Sequence, residues 1–132
     1  MTETAEAMHA AGRTQSLGYK IGWWFLVGIT GLSIVSHVSL AGFAEGATEV
    51  FVFFSLAAIN IYALAVLLTA YRRGERWAWW VTWVMVAIYA LTTLKAPDEG
   101  RYYLGTAVVM GAAQLLTLSS FRRNWERLAE VP

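Results

Sequence analysis

The stretch that decides the fold is YRRGERWAWW, which runs from Tyr71 to Trp80. It places three arginines, one glutamate and one glycine between two long apolar runs, together with a tyrosine and three tryptophans. Arginine is costly in hydrocarbon but suits the headgroup region, and indole prefers the boundary just beneath it. The stretch therefore predicts a tight turn at a membrane surface, with the charges among the headgroups and the rings below them.

A second interpretation of this turn is a docking site for a particular lipid headgroup or for a partner protein. Basic residues beside a membrane attract anionic lipid by about 1 kcal/mol each. The residues that we expect to contact lipid or a partner are Arg72, Arg73, Arg76, Trp77, Trp79 and Trp80.

Four apolar runs flank the turn on both sides, and none of them contains a charged residue. Each run is about 18 to 22 residues long, so as a helix it would extend roughly 27–33 Å, close to the ~30 Å hydrocarbon core of a bilayer. In lipid, a helix is also the structure that pairs every backbone group within its own segment. The sequence therefore predicts an all-α fold with four transmembrane helices, at about 20–42, 50–71, 77–95 and 102–121.

The overall composition agrees with a membrane location. The chain has 132 residues, of which 58% are hydrophobic and 14% are charged, whereas soluble domains carry about 25% charged residues. A net charge of +1 argues against nucleic-acid binding, and the absence of cysteine excludes disulfides and thiolate metal sites. We expect a flexible cytoplasmic tail at 1–17, a membrane domain at 18–125 and a short cytoplasmic tail at 126–132.

The connections between the apolar runs are short, which predicts an up-down-up-down bundle. Counting charge by side then orients it, because basic residues near helix ends stay in the cytoplasm. Lys95 and Arg101 lie on one side with four acids, and we expect the remaining eight basic residues, both termini and the arginine turn on the cytoplasmic side. All seven tryptophans, with Tyr19 and Tyr71, are expected at the cytoplasmic lipid boundary.

One histidine falls inside a predicted span. His37 shares a helical face with small and polar residues, a pattern typical of a face that packs on other helices. One interpretation is an interhelical hydrogen bond. The others are a proton carrier, a hydrogen bond to a quinone or lipid carbonyl, or a haem or metal ligand. The stripe consists of Gly22, Leu26, Thr30, Ser33, His37 and Ala41.

Three further polar residues lie within the spans. Asn60 and Tyr89 fall at similar depths of the second and third helices, which predicts a hydrogen bond between them. Gln114 shares a face of the fourth helix with Ala107 and Gly111, which predicts close helix packing with a hydrogen bond. His37, Asn60, Tyr89 and Gln114 are the candidate ligand-binding residues.

Charged residues of the predicted outer loops form another possible group. If these loops fold over the bundle, His37 would meet a carboxylate and form an acid/base pair. The members of this group are His37, Glu45, Glu49, Lys95, Asp98, Glu99 and Arg101.

The four short-looped spans and the turn from Arg72 to Trp80 resemble small bacterial four-helix membrane proteins of the DoxX-like and uncharacterised kind. The resemblance implies the four-helix fold and a bacterial inner membrane, and it implies no catalytic residue.

From these patterns we expect a non-catalytic integral membrane protein, an accessory subunit of a complex or a homo-oligomer that packs against lipids and partner helices. The alternative is a binder or enzyme for a hydrophobic small molecule such as a quinone, sterol, carotenoid or lipid, held between the helices. A transporter of ions or polar solutes is less favoured, because no charge lies in the spans. The sequence predicts no resident cofactor.

Overall fold

The computed structural model describes residues 16–95 and 100–129, and in these ranges the chain is helical with short turns and no strand. The four helices are α1 (Leu17–Ala41), α2 (Ala47–Val66, continued by a π-helical turn at Leu67–Tyr71), α3 (Arg76–Lys95) and α4 (Gly100–Ala129). All four are long and apolar enough to cross a membrane, which confirms the predicted number of candidate spans.

The helices pack unevenly around the bundle. α1 lies against both α2 and α4, and α3 lies along α4. Although α2 and α3 are joined by the arginine turn, they meet closely at few positions, mainly around the π-helical turn. The pair that the arginine turn joins is therefore the most loosely packed neighbouring pair in the bundle.

Among the glycines of the described residues, Gly22 of α1 lies closest to a neighbouring helix, α4. A Cβ added to Gly22 would lie 2.5 Å from the Ala113 carbonyl oxygen and 2.9 Å from Thr117 Cγ2. By contrast, a Cβ added to Gly111 would meet Val86 at an ordinary 3.8 Å. The two backbones therefore come together at Gly22, and only a residue without a side chain fits there.

Hydrogen bonds from side chains of α1 hold the π-helical turn at the end of α2. The indole Nε1 of Trp23 donates to the Leu67 carbonyl at 2.9 Å, and the Tyr19 hydroxyl donates to the Tyr71 carbonyl at 2.9 Å. Side chains of α1 thus satisfy carbonyls at an irregular helix end. The chain then reverses through Gly74, whose φ of 78° lies in the left-handed region that suits glycine.

α4 continues to Ala129, past the predicted end at 121. Phe121 and Trp125 share one face, and their ring centres lie 6.5 Å and 5.8 Å from that of Trp79. Arg122 and Glu126 pair on the helix surface at 3.1 Å. These contacts extend the helix into the stretch that composition alone predicts as a tail.

Burial differs from the expected lipid boundary at several aromatic residues. Tyr19 and Tyr71 are only 4% and 0% exposed, so they lie inside the bundle rather than at its lipid surface. Trp79 is also buried, at 6%, whereas Trp77 and Trp80 are exposed. The aromatic residues at this end therefore form a packed cluster with an outer rim, rather than a single belt.

Candidate functional site

Gln114 lies in a hydrogen-bonded network beside the end of α2. Its Oε1 accepts from the Tyr71 hydroxyl at 2.9 Å, and its Nε2 donates to the Trp79 carbonyl at 2.6 Å. The Thr117 hydroxyl lies 2.6 Å from the Tyr71 hydroxyl and donates to the Gln114 carbonyl at 2.7 Å. Both the oxygen and the nitrogen of the Gln114 amide are thus hydrogen-bonded, and this network connects α2, α3 and α4.

Asn60 and Tyr89 form the hydrogen bond predicted from their depths. The Tyr89 hydroxyl donates to Asn60 Oδ1 at 3.0 Å, and Asn60 Nδ2 donates to the Leu56 carbonyl at 2.8 Å. The Ser33 side chain of α1 is a second neighbour of the Tyr89 hydroxyl. Since α2 and α3 pack loosely, this bond is a polar link across their gap.

His37 lies apart from the other three candidates. It is 1% exposed, its ring centre is 6.4 Å from that of Phe53, and its Nδ1 has no hydrogen bond of good geometry, although the Ser33 carbonyl is nearby. The α1 stripe predicted to pack inward is buried as expected. His37 therefore points into the bundle, between α1 and α2.

The structure does not pair His37 with a loop carboxylate in the described ranges. The Glu49 carboxylate instead accepts from the Glu45 backbone N–H at 3.2 Å, and both residues are exposed. The side chain of Lys95, with Asp98 and Glu99, lies outside the described residues. Among the residues described, no three His, Asp or Glu side chains gather as metal ligands.

A small cavity lies in the gap between α2 and α3. Its lining includes Thr30, whose side chain is 0% exposed and whose hydroxyl has no hydrogen-bond partner. The space open to the centre of a water-sized sphere is about 10 Å³, close to the minimum for one water molecule. The lining residues are Thr30, Ala63, Val66, Leu67, Val81, Thr82, Met85 and Met110.

This cavity is not formed by the residues that the sequence suggested. Asn60 and Tyr89 meet outside its lining, Gln114 belongs to the Tyr71 network, and His37 lies near Phe53. The polar residue that lines it without a partner is Thr30, which the sequence marks only as one member of the α1 stripe.

The arginine turn forms the charged end of the bundle. The guanidinium carbon of Arg72 lies 5.7 Å from the ring centre of Trp23, and that of Arg76 lies 5.0 Å from the ring centre of Trp125. Arg73 pairs with Glu75 at 2.7 Å. Two of the three arginines in the turn are therefore placed against indoles, which is a favourable geometry for cation–π attraction.

Comparisons with protein-family models, with curated proteins and with solved structures give no match.

Proposed function

We propose that the chain is a non-catalytic, multi-pass integral membrane protein that acts by packing against partner helices and lipids, as an accessory subunit or a homo-oligomer. The observation that carries the proposal is the contrast between its interior and its surface. Inside, the polar groups of Gln114, Tyr71, Asn60 and Tyr89 bond to one another and to the backbone. Outside, large apolar side chains are exposed along all four helices.

The membrane topology is part of this proposal. The four helices run up-down-up-down, with both termini and the arginine turn in the cytoplasm and the protein in the inner (plasma) membrane. Two contacts support the placement of the start of α1, the end of α2 and the distal part of α4 at the same end of the bundle. The hydroxyls of Ser16 and Ser120 lie 2.8 Å apart, and the Tyr19 hydroxyl donates to the Tyr71 carbonyl. The start of α1 and the distal part of α4 are thus beside the arginine turn, where basic residues predominate.

Purification in a mild detergent followed by native mass spectrometry tests this role. The proposal expects the intact chain in complexes with additional protein chains, either copies of itself or other membrane proteins. Covalent crosslinking in the native membrane before extraction should trap the same complexes. A chain that stays monomeric under both conditions and carries one stoichiometric small molecule would contradict the proposal.

The second candidate function is the binding of a hydrophobic small molecule between α2 and α3. Thr30, whose buried hydroxyl has no hydrogen-bond partner, lines a cavity in the loosest interface, and this favours such binding. A quinone or sterol would require α2 and α3 to separate, because the existing space fits about one water molecule. The flexible side chains of Met85 and Met110 in the lining would allow repacking.

Thr30→Val separates the two candidates, because it keeps the shape of the side chain and removes only the hydroxyl. If the hydroxyl has no ligand, its loss leaves stability unchanged or raises it, since a buried unpaired polar group costs about 1–3 kcal/mol. If a ligand uses it, the bound small molecule is lost or weakened. Native mass spectrometry and thermal unfolding of the same sample distinguish these results.

A further inference from the structure

The charged end of the bundle has more cations than its carboxylates can neutralise. In the described part of the chain, its two acids are both paired, Glu75 with Arg73 at 2.7 Å and Glu126 with Arg122 at 3.1 Å. The remaining cations there form no salt bridge within the described residues. They are Lys20, Arg72, Arg76 and Arg123.

Arg72 is the one of these cations that lies over an indole linking α1 to α2. Its guanidinium lies over Trp23 at 5.7 Å, and the same indole is anchored to α2 through its 2.9 Å bond to the Leu67 carbonyl. Lys20 precedes Trp23 by three residues on α1, so the two side chains are neighbours on the helix surface. Two cations without a carboxylate partner therefore flank one immobilised indole.

The other guanidinium over an indole is in a different electrostatic setting. Arg76 lies over Trp125, and Glu126 follows Trp125 directly. Lys20 and Arg72 form no ion pair among the described residues, and both lie beside the Trp23 indole, which makes this the better site for an anion.

Apolar side chains adjoin the Trp23 indole. The Trp24 ring centre lies 4.8 Å from that of Trp23 and Trp24 is 65% exposed, and Leu68 of α2, which follows the Leu67 bonded by Trp23, is 46% exposed. A free phosphate would use only the two cations. A phospholipid would use the cations through its phosphate and the apolar surface through its acyl chains.

We propose that Lys20, Arg72 and Trp23 form a binding site for the headgroup phosphate of an anionic phospholipid, whose acyl chains lie against Trp24 and Leu68. This proposal depends on the proposed membrane insertion, and it adds to the proposed function the chemical class of one lipid that the protein binds. The two cations supply charge complementarity to the single negative charge of the phosphodiester. The Trp23 indole holds the guanidinium in place and reduces the entropy lost on binding.

The test compares phosphatidylglycerol with phosphatidylcholine by native mass spectrometry of the full chain in a mild detergent. The intact protein should retain one phosphatidylglycerol more tightly than phosphatidylcholine. Lys20→Gln and Arg72→Gln should each weaken that binding about fivefold, the factor equivalent to ~1 kcal/mol per basic residue near a membrane surface. Arg122→Gln removes the same charge from a residue of α4 that is already paired with Glu126, and it should change binding less than twofold.

Three results would overturn the site alone, and a fourth would overturn membrane insertion as well. An equal loss in all three variants would show a diffuse surface charge in place of a site. Displacement of the lipid by millimolar inorganic phosphate would show an anion site that does not use the acyl chains. A folded, helical protein in micelles with no preference for phosphatidylglycerol would remove the site and leave membrane insertion intact. A chain that is soluble and folded without detergent would remove both proposals.

Discussion

Replacing Gly22 with alanine tests the close contact between α1 and α4. The new Cβ would lie 2.5 Å from the Ala113 carbonyl oxygen, 0.9 Å inside the 3.4 Å at which ordinary contact begins. That oxygen belongs to the backbone of a helix and cannot rotate away, so the two helices must separate. Overpacking of this kind costs about 1–3 kcal/mol, whereas alanine gains roughly 0.5–1 kcal/mol over glycine as a helix former.

We therefore expect Gly22→Ala to lower the free energy of unfolding by about 1 kcal/mol, the difference between the midpoints of these two ranges, and by at most about 2.5 kcal/mol. Gly28→Ala is the matched control on the same helix, because a Cβ there meets nothing within 4 Å. It should raise stability by about 0.5–1 kcal/mol. Unfolding in mixed micelles with increasing dodecyl sulfate, followed by tryptophan fluorescence and circular dichroism, measures both. Equal stability of the two variants would refute the close packing of α1 on α4.

Two further predictions concern the interior hydrogen bonds. Tyr71→Phe removes a hydroxyl that lies 2.9 Å and 2.6 Å from its two side-chain partners, and it should cost about 1–2 kcal/mol by the range measured for buried hydrogen bonds. Tyr62→Phe, at an exposed position, should change stability by less than about 0.5 kcal/mol, and a similar loss in both variants would argue against the Tyr71 network. A double-mutant cycle with Asn60→Ala and Tyr89→Phe should give a coupling energy near 0.6 kcal/mol and below about 1.7 kcal/mol, as for other membrane hydrogen bonds. A coupling of zero would mean that the two side chains do not bond across the gap.

The features that sequence predicts well are those set within one helix. The four candidate spans follow from the length and apolar character of each run, and the buried face of α1 follows from the spacing of small and polar residues. The bond between Asn60 and Tyr89 follows from counting residues from the ends of two helices. Each of these inferences needs only the rise and period of a helix.

The features that sequence misses depend on how one helix faces another. Tyr71 lies next to the arginines of the turn, and this position in the sequence suggests the lipid boundary. In the structure Tyr71 is part of the π-helical turn and is completely buried next to Gln114 and Thr117. Gly22 is one of 11 glycines in the sequence. Only the position of α4 shows that a side chain at this residue would clash with the facing helix. The loose fit between α2 and α3 is equally invisible in the two sequences that form it.

The candidate site also has features that the sequence predicts and features that depend on how the helices pack. His37, Asn60 and Gln114 are found in the sequence because polar residues in apolar runs are conspicuous, and all three are buried. Their separation into different clusters depends on the packing of the bundle. Thr30 is missed because a threonine within a helix commonly bonds its own backbone, and its unpartnered hydroxyl becomes visible only with the cavity around it.

The central claim is that four helices cross a membrane with the arginine turn on the cytoplasmic side. The chain contains no cysteine, so single cysteines can be introduced at Arg73, Glu45 and Arg101 and labelled in spheroplasts with a membrane-impermeant maleimide. The account predicts labelling of Glu45→Cys and Arg101→Cys in intact spheroplasts, and labelling of Arg73→Cys only after the membrane is disrupted. Labelling of Arg73→Cys in intact spheroplasts, with Glu45→Cys and Arg101→Cys protected, would contradict it.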